Sequence, residues 1–221
     1  MSLGSYCEAG DLATLQAYCT QTGVTAAQVR ECHALQIACL NNHLEVAHWL
    51  HQTFELTGAD ARIVDNCALQ VACLVGHLEV ARWLQRTFQL TVADARADNN
   101  YALRKACACG HLEVARWLQQ TFQLTAADAR AANNLILYRV CKNGYLEVLR
   151  WLQRTWGIPP DALPDALATI SHTPRSAACI AYLSSLRALR WSPRTHADFP
   201  LHARRLALLL LLVCQRLACS L

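Results

Sequence analysis

Three histidines, His43, His77 and His111, stand at one point of a recurring phrase and are evenly spaced along the chain. Imidazoles in a regular register, with Cys107 and Cys109 close to His111, are residue types that hold zinc. The spacing argues against that chemistry. Helical units stack about 8–10 Å apart while a zinc–ligand bond is about 2 Å, so histidines one repeat apart do not share an ion. Tyr145 also stands where a fourth histidine would fall. A structural hydrogen bond to the preceding loop is the expected role of these rings. Cys107 and Cys109, two positions apart on a helix, point to different faces, giving a packed thiol and an exposed one. The sequence contains no nucleophile–base arrangement, glycine-rich phosphate loop or paired-carboxylate motif. The expectation is a non-catalytic protein with neither cofactor nor metal; an enzyme whose groups meet only in space is the weaker alternative.

The phrase that carries the histidines reads Gly76-His77-Leu78-Glu79-Val80-Ala81-Arg82-Trp83-Leu84, with copies beginning at Asn42, Gly110 and Gly144. A fixed period of this length marks stacked supersecondary units, each too small to bury its own apolar face. In one unit, Leu69, Ala72, Cys73 and Gly76 follow the i, i+3, i+4, i+7 spacing of a helix with one buried stripe. Gly76 ends that helix in a left-handed position. A second helix starts at His77, with Val80, Ala81, Leu84 and Phe88 as its stripe and Glu79, Arg82, Arg86 and Gln89 as its wet face. Thr91-Val92-Ala93-Asp94 resembles a capping box and predicts a short third helical turn rather than a β-hairpin. Trp49, Trp83, Trp117 and Trp151 are expected to form one buried ladder, and Phe54, Phe88, Phe122 and Trp156 a second.

Composition narrows the class. Hydrophobic residues make up 54% of the 221 and charged residues 16%, enough for a core and too apolar for a disordered chain. Of twelve cysteines, Cys39, Cys73, Cys107 and Cys141 fill one slot of successive repeats, which reads as packing rather than disulfide formation. With no signal peptide after Met1, a reducing cytoplasmic or nuclear setting is expected. The longest apolar run, Leu206 to Cys214, falls short of the roughly 20 residues that cross a membrane. Basic and acidic side chains are equal in number up to Pro160, so the net charge of +4 comes from the C-terminal segment that follows. A nucleic-acid binder is expected to concentrate basic charge on a repeated face, and the repeats as a whole do not.

The pattern Ala102-Leu103-x-x-Ala106-Cys107-x-x-Gly110-His111-Leu112-Glu113-Val114-Ala115-x-Trp117-Leu118 resembles the ankyrin repeat, and Ala68 to Leu84 matches as well. The likeness covers roughly residues 5–156, with Glu8-Ala9-Gly10-Asp11-Leu12 similar to a truncated first copy. Two departures stand out. The family's Thr-Pro-Leu-His box is replaced by His33-Ala34-Leu35-Gln36, Cys67-Ala68-Leu69-Gln70, Tyr101-Ala102-Leu103-Arg104 and Leu135-Ile136-Leu137-Tyr138. Its Gly-Ala-Asp-Val-Asn finger gives way to stretches such as Leu124-Thr125-Ala126-Ala127-Asp128-Ala129-Arg130, as in the finger-less arrays of protists and giant viruses. A tetratricopeptide array shares the period but lacks the glycine–histidine helix start.

The resemblance implies an all-α, ankyrin-type helical solenoid: a capping repeat over 1–29, four repeats over 30–160 and a helical C-terminal cap over 161–221. It implies a scaffold that binds a protein partner; with the charge and apolar-run readings above, neither nucleic acid nor membrane is expected, and the chain is expected to work as a monomer. Partner contact is expected at Asn66, Asp98, Asn100 and Asn134, with Val64 and Ala132, in the loops. On the first helices it is expected at Leu40, Asn41, Leu74, Val75, Ala108, Cys109, Lys142 and Asn143. Leu74 and Val75 stand out, because adjacent apolar side chains on a wet edge suit a binding patch. After Gly157-Ile158-Pro159-Pro160 the repeat fails, and helices are predicted at about 161–170, 176–188 and 201–219. The alternative for this tail is a ubiquitin-ligase docking element, since Leu210, Cys214 and Ala218 loosely fit SOCS-box spacing.

Overall fold

The computed structural model describes residues 2–157 and 174–190, without the side chains of 65, 131–134 and 187–190. Every regular element among the described residues is a helix, so the described chain is all-α. The chain divides into two compact units, Met1–Ala131 and Ala132–Leu221. The first holds α1 (Leu3–Ala9), α2 (Leu12–Thr22), α3 (Ala26–Glu31), α4 (Ala34–Leu40), α5 (Leu44–Thr53) and α6 (Gly58–Ala61). It continues with α7 (Ile63–Val75), α8 (Leu78–Phe88), α9 (Val92–Ala108) and α10 (Leu112–Phe122). The division falls inside α11 (Ala126–Asn143), and the second unit holds α12 (Leu146–Trp156) and α13 (Pro174–Arg190).

In the first unit the sequence period becomes a packing period. Leu35, Ala38 and Cys39 of α4 are buried, as are Leu69, Ala72 and Cys73 of α7 and Leu103, Ala106 and Cys107 of α9. α4 packs on α7 and α7 on α9, and the small Ala–Cys pair at each contact lets the helices approach closely. The second helices bury Val46, Ala47 and Leu50, then Val80, Ala81 and Leu84, then Val114, Ala115 and Leu118. Glu45, Glu79 and Glu113 occupy their first turns, where a negative charge opposes the positive end of the helix dipole.

The junction between repeats is helical, as the capping-box reading predicts. Thr57, Thr91 and Thr125 each donate a backbone N–H and a hydroxyl to the carboxylate three residues on, at 2.6–2.9 Å. After this turn the chain does not run straight into the next first helix. Within α9, Asp98, Asn99 and Asn100 take left-handed conformations in succession, with φ of 47°, 52° and 60°. Asp and Asn tolerate this region better than other side chains with a Cβ. Arg104, one turn into the helix, donates from Nε to the Asn99 carbonyl and from Nη2 to the Asp98 carbonyl, both at 2.9 Å.

The tryptophan ladder is corrected by burial. Of its four members only Trp83 is buried, at 8% exposure, while Trp49, Trp117 and Trp151 are half-buried. Each tryptophan instead meets the aromatic residue five positions on within its own helix or at its end. Trp49–Phe54, Trp83–Phe88 and Trp117–Phe122 lie edge to face with ring centres 5.6 Å apart. Trp83 is sealed because the His48 ring of the preceding repeat lies 4.8 Å away. Arg82 holds that slot ahead of Trp117 and turns to Glu79 instead, at 3.2 Å.

In the second unit, Val148, Leu149 and Leu152 of α12 are buried, and α12 packs against α13. The helix predicted at 176–188 is present as α13, starting two residues earlier at Pro174, a residue suited to a first helical turn. Ser176, Cys179 and Leu183 are its buried side, and the Arg150 guanidinium sits 5.7 Å from the centre of the Tyr182 ring. The helices predicted at 161–170 and 201–219, with Leu206–Cys214, Leu210 and Ala218, lie outside the described residues.

Candidate interaction surface

Two sets of cross-repeat bonds fix the frame on which the surface is carried. In the first, His43 Nε2 lies 2.9 Å from the Glu8 carbonyl, His77 Nε2 3.1 Å from that of Leu40 and His111 Nε2 3.0 Å from that of Leu74. A carbonyl only accepts, so each Nε2 carries the hydrogen and donates. The acceptors are end-of-helix carbonyls with no intrahelical partner, so the rings reach a helix terminus rather than the expected loop. Gly76 is needed here twice over. Its φ is +88°, and a Cβ at that position would come within 2.5 Å of His111 Nδ1.

The second set was not anticipated from sequence. Arg30, Arg62 and Arg96 reach forward to Asp60, Asp94 and Asp128, with Nε–Oδ1 distances of 2.6, 2.8 and 2.7 Å. Nη2 completes a fork to Oδ2 at 3.5, 3.0 and 3.0 Å. Each aspartate thus caps its own turn and ties it to the repeat before. Burial opposes its charge, but the arginine and the threonine donors outweigh that and hold Asp60, Asp94 and Asp128 below the usual carboxylate range. The available signal was the recurrence of Asp60-Ala61-Arg62, Asp94-Ala95-Arg96 and Asp128-Ala129-Arg130, where acid and base keep the repeat period together.

The predicted contact residues separate into groups. Leu40 and Val75, at 40% and 39% exposure, end α4 and α7 and present apolar surface to solvent. Leu74, Ala108 and Cys109 are half-buried, and the Leu74 carbonyl is held by His111. Asn41 is half-buried with its side-chain amide donating to the Ile37 carbonyl at 2.9 Å. Lys142 and Asn143 in the second unit are exposed, with Lys142 Nζ 5.9 Å from the Tyr138 ring centre. Asp98 is exposed beside Arg104. Asn66 and Asn100 are each only 7% exposed, buried in the junction where φ is 65° and 60°. Asparagine tolerates this left-handed backbone better than most residues with a Cβ. The side chain of Asn134, and that of Ala132, lie outside the described residues.

No group of three or more metal-binding side chains gathers among the described residues. A cavity of about 10 Å³ beside Arg30, Gln36 and Asp60 has room for one water. Burial first of all, with help from Cys32 and Cys19, pushes the Cys7 thiol up to about 12, and burial also raises Cys39, Cys73 and Cys107. Inert thiols of this kind act as small apolar side chains. No described helix is long and apolar enough to cross a membrane. Compared with protein-family models, with curated proteins and with solved structures, the chain matches none of them.

Proposed function

We propose that this chain is a non-catalytic scaffold of ankyrin type that binds a partner protein through the exposed ends and faces of its first helices, in a reducing cytoplasmic or nuclear setting. The observation that carries the reading is the contrast between fixed and free positions. Histidine and arginine–aspartate rungs lock the junctions, while Leu40 and Val75 leave apolar surface open at the matching ends of α4 and α7. Apolar side chains exposed together on adjoining helices lose water when a partner covers them, at about 25 cal/mol per Å².

The test is a pair of charge insertions. Leu74→Glu with Val75→Glu should abolish capture of the protein recovered by affinity purification from the native cell, with the helical spectrum unchanged. An unpaired carboxylate in a closed interface costs several kcal/mol. Arg82→Glu with Arg86→Glu, on the second-helix face, should leave capture intact. Loss of capture in the second pair alone would place the contact on the opposite face and refute the assignment. Identification of cullin or elongin subunits in the captured fraction would instead favour a ligase adaptor.

A further inference from the structure

We infer that the partner segment is an acidic peptide with apolar residues beside its carboxylates, laid across α4, α7 and α9. The inference rests on the first-helix reading above and adds the chemistry of what binds there. One slot of the successive first helices is filled by Ile37, Val71 and Lys105, each one repeat after the last. The slot before it is filled by Gln36, Gln70 and Arg104. Because α4 adjoins α7 and α7 adjoins α9, slot-mates are neighbours, and the face changes character along the row. It begins apolar, with Leu40 and Val75 exposed and Ile37, Val71 and Leu74 half-buried. It ends cationic on α9, where Lys105 Nζ lies 4.9 Å and Arg104 Cζ 5.5 Å from the centre of the Tyr101 ring.

The charge on Lys105 is available in a way most others in this unit are not. Arg30, Arg62 and Arg96 are engaged by aspartates, and Arg82 and Arg116 pair with Glu79 and Glu113 at 3.2 and 3.1 Å. Arg104 is occupied by the Asp98 and Asn99 carbonyls. Lys105 has no carboxylate in ion-pair contact among the described residues, and its stem is half-buried against Tyr101. Arg86 and Arg130 are also without such a carboxylate among those residues, but both are exposed; Arg86 lies on α8 and Arg130 near the start of α11. A cation seated on an aromatic face beside apolar surface is partly dehydrated, so an incoming carboxylate gains more there than at an open surface. The next first helix, taken by itself, also sets a cation near a tyrosine, with Lys142 Nζ 5.9 Å from the Tyr138 ring centre. A nucleic acid would meet the cations but not the apolar half of the row.

A random peptide library displayed on phage, selected against the full chain, tests this directly. The expected winners carry Asp or Glu beside Leu, Ile or Phe. Their synthetic forms should bind about tenfold or more weakly to Lys105→Glu, less weakly to Lys105→Gln, and weaken as salt is raised. Val75→Glu should also lose them, while Arg86→Glu should not. Winners that need Val75 but show no acidic bias and ignore Lys105→Glu would overturn the acidic-peptide inference and leave the scaffold reading standing. No enrichment, or binding lost only on changing Arg82 and Arg86, would overturn both. A mixed-sequence single-stranded DNA that binds and displaces the winners would overturn it in favour of nucleic acid.

Discussion

At the scale of single residues, backbone conformation explains positions that composition leaves obscure. Asn66, Asn99 and Asn100 stand in left-handed conformations at repeat junctions, where an Asn side chain is tolerated. Val64 breaks that logic. It is a β-branched residue at φ 53°, with 64% exposure, in the slot that holds Asp98 one repeat later. A β-branched side chain in this region is strained, and an exposed one gains little packing in return. Val64→Asn is therefore expected to stabilise the protein by about 0.5–1 kcal/mol, raising the melting temperature by about 1–4 °C. An unchanged or lower melting temperature in calorimetry would mean that the Val64 side chain contributes packing worth as much as its strain costs. The tryptophans teach the complementary lesson, since identical residues at one register are sealed or half open according to whether His48 or Arg82 lies ahead of them.

At the scale of elements, the short turn after each second helix holds more structure than its length implies. Asp94 accepts from the Thr91 backbone and hydroxyl and from both arms of the Arg62 fork, joining two repeats through one carboxylate. Asp94→Asn keeps a cap of similar shape but removes the charge, and is expected to cost about 1–3 kcal/mol. The pH dependence follows from the depressed carboxyl. Its folded value lies below its unfolded value of about 3.9, so the rung contributes fully above about pH 4–5 and is lost as pH falls through the folded value. Denaturant melts of wild type and Asp94→Asn should therefore differ at pH 7 and converge as the pH falls into the acid range below the unfolded value. A gap that stays constant through the acid range would show that the carboxylate is not what joins the repeats.

At the scale of the whole molecule, the thiols report on packing in each unit. Cys39, Cys73 and Cys107 are buried in the first, and Cys141 and Cys179 in the second, while Cys32, Cys67 and Cys109 are half-buried. The Cys141 thiol is raised by its hydrogen bond to Cys179 and by burial, whereas Cys179 is held lower by that bond. Among the described cysteines, a thiol reagent followed by peptide mass spectrometry should label Cys32, Cys67 and Cys109 first. Cys39, Cys73, Cys107 and Cys141 should react only as denaturant opens their unit. Native labelling of Cys73 as fast as that of Cys109 would contradict the close contact of α4, α7 and α9.

Much of the fold was legible because its determinants are local and periodic. The stripe Leu69, Ala72, Cys73, the helix stop at Gly76 and the capping box at Thr91 depend on residues a few positions apart, and each repeats. That the described chain is all-α follows from those signals alone. The surface was legible only in part. Leu40 and Val75 are exposed because their slots lie outside the buried stripe, a matter of helical phase. The burial of Asn66 and Asn100, the uneven sealing of the tryptophans and the pairing of Arg62 with Asp94 were decided by tertiary structure. Each depends on what the neighbouring repeat places opposite, a whole repeat away along the chain, and a local pattern shows that a residue recurs without showing what it faces.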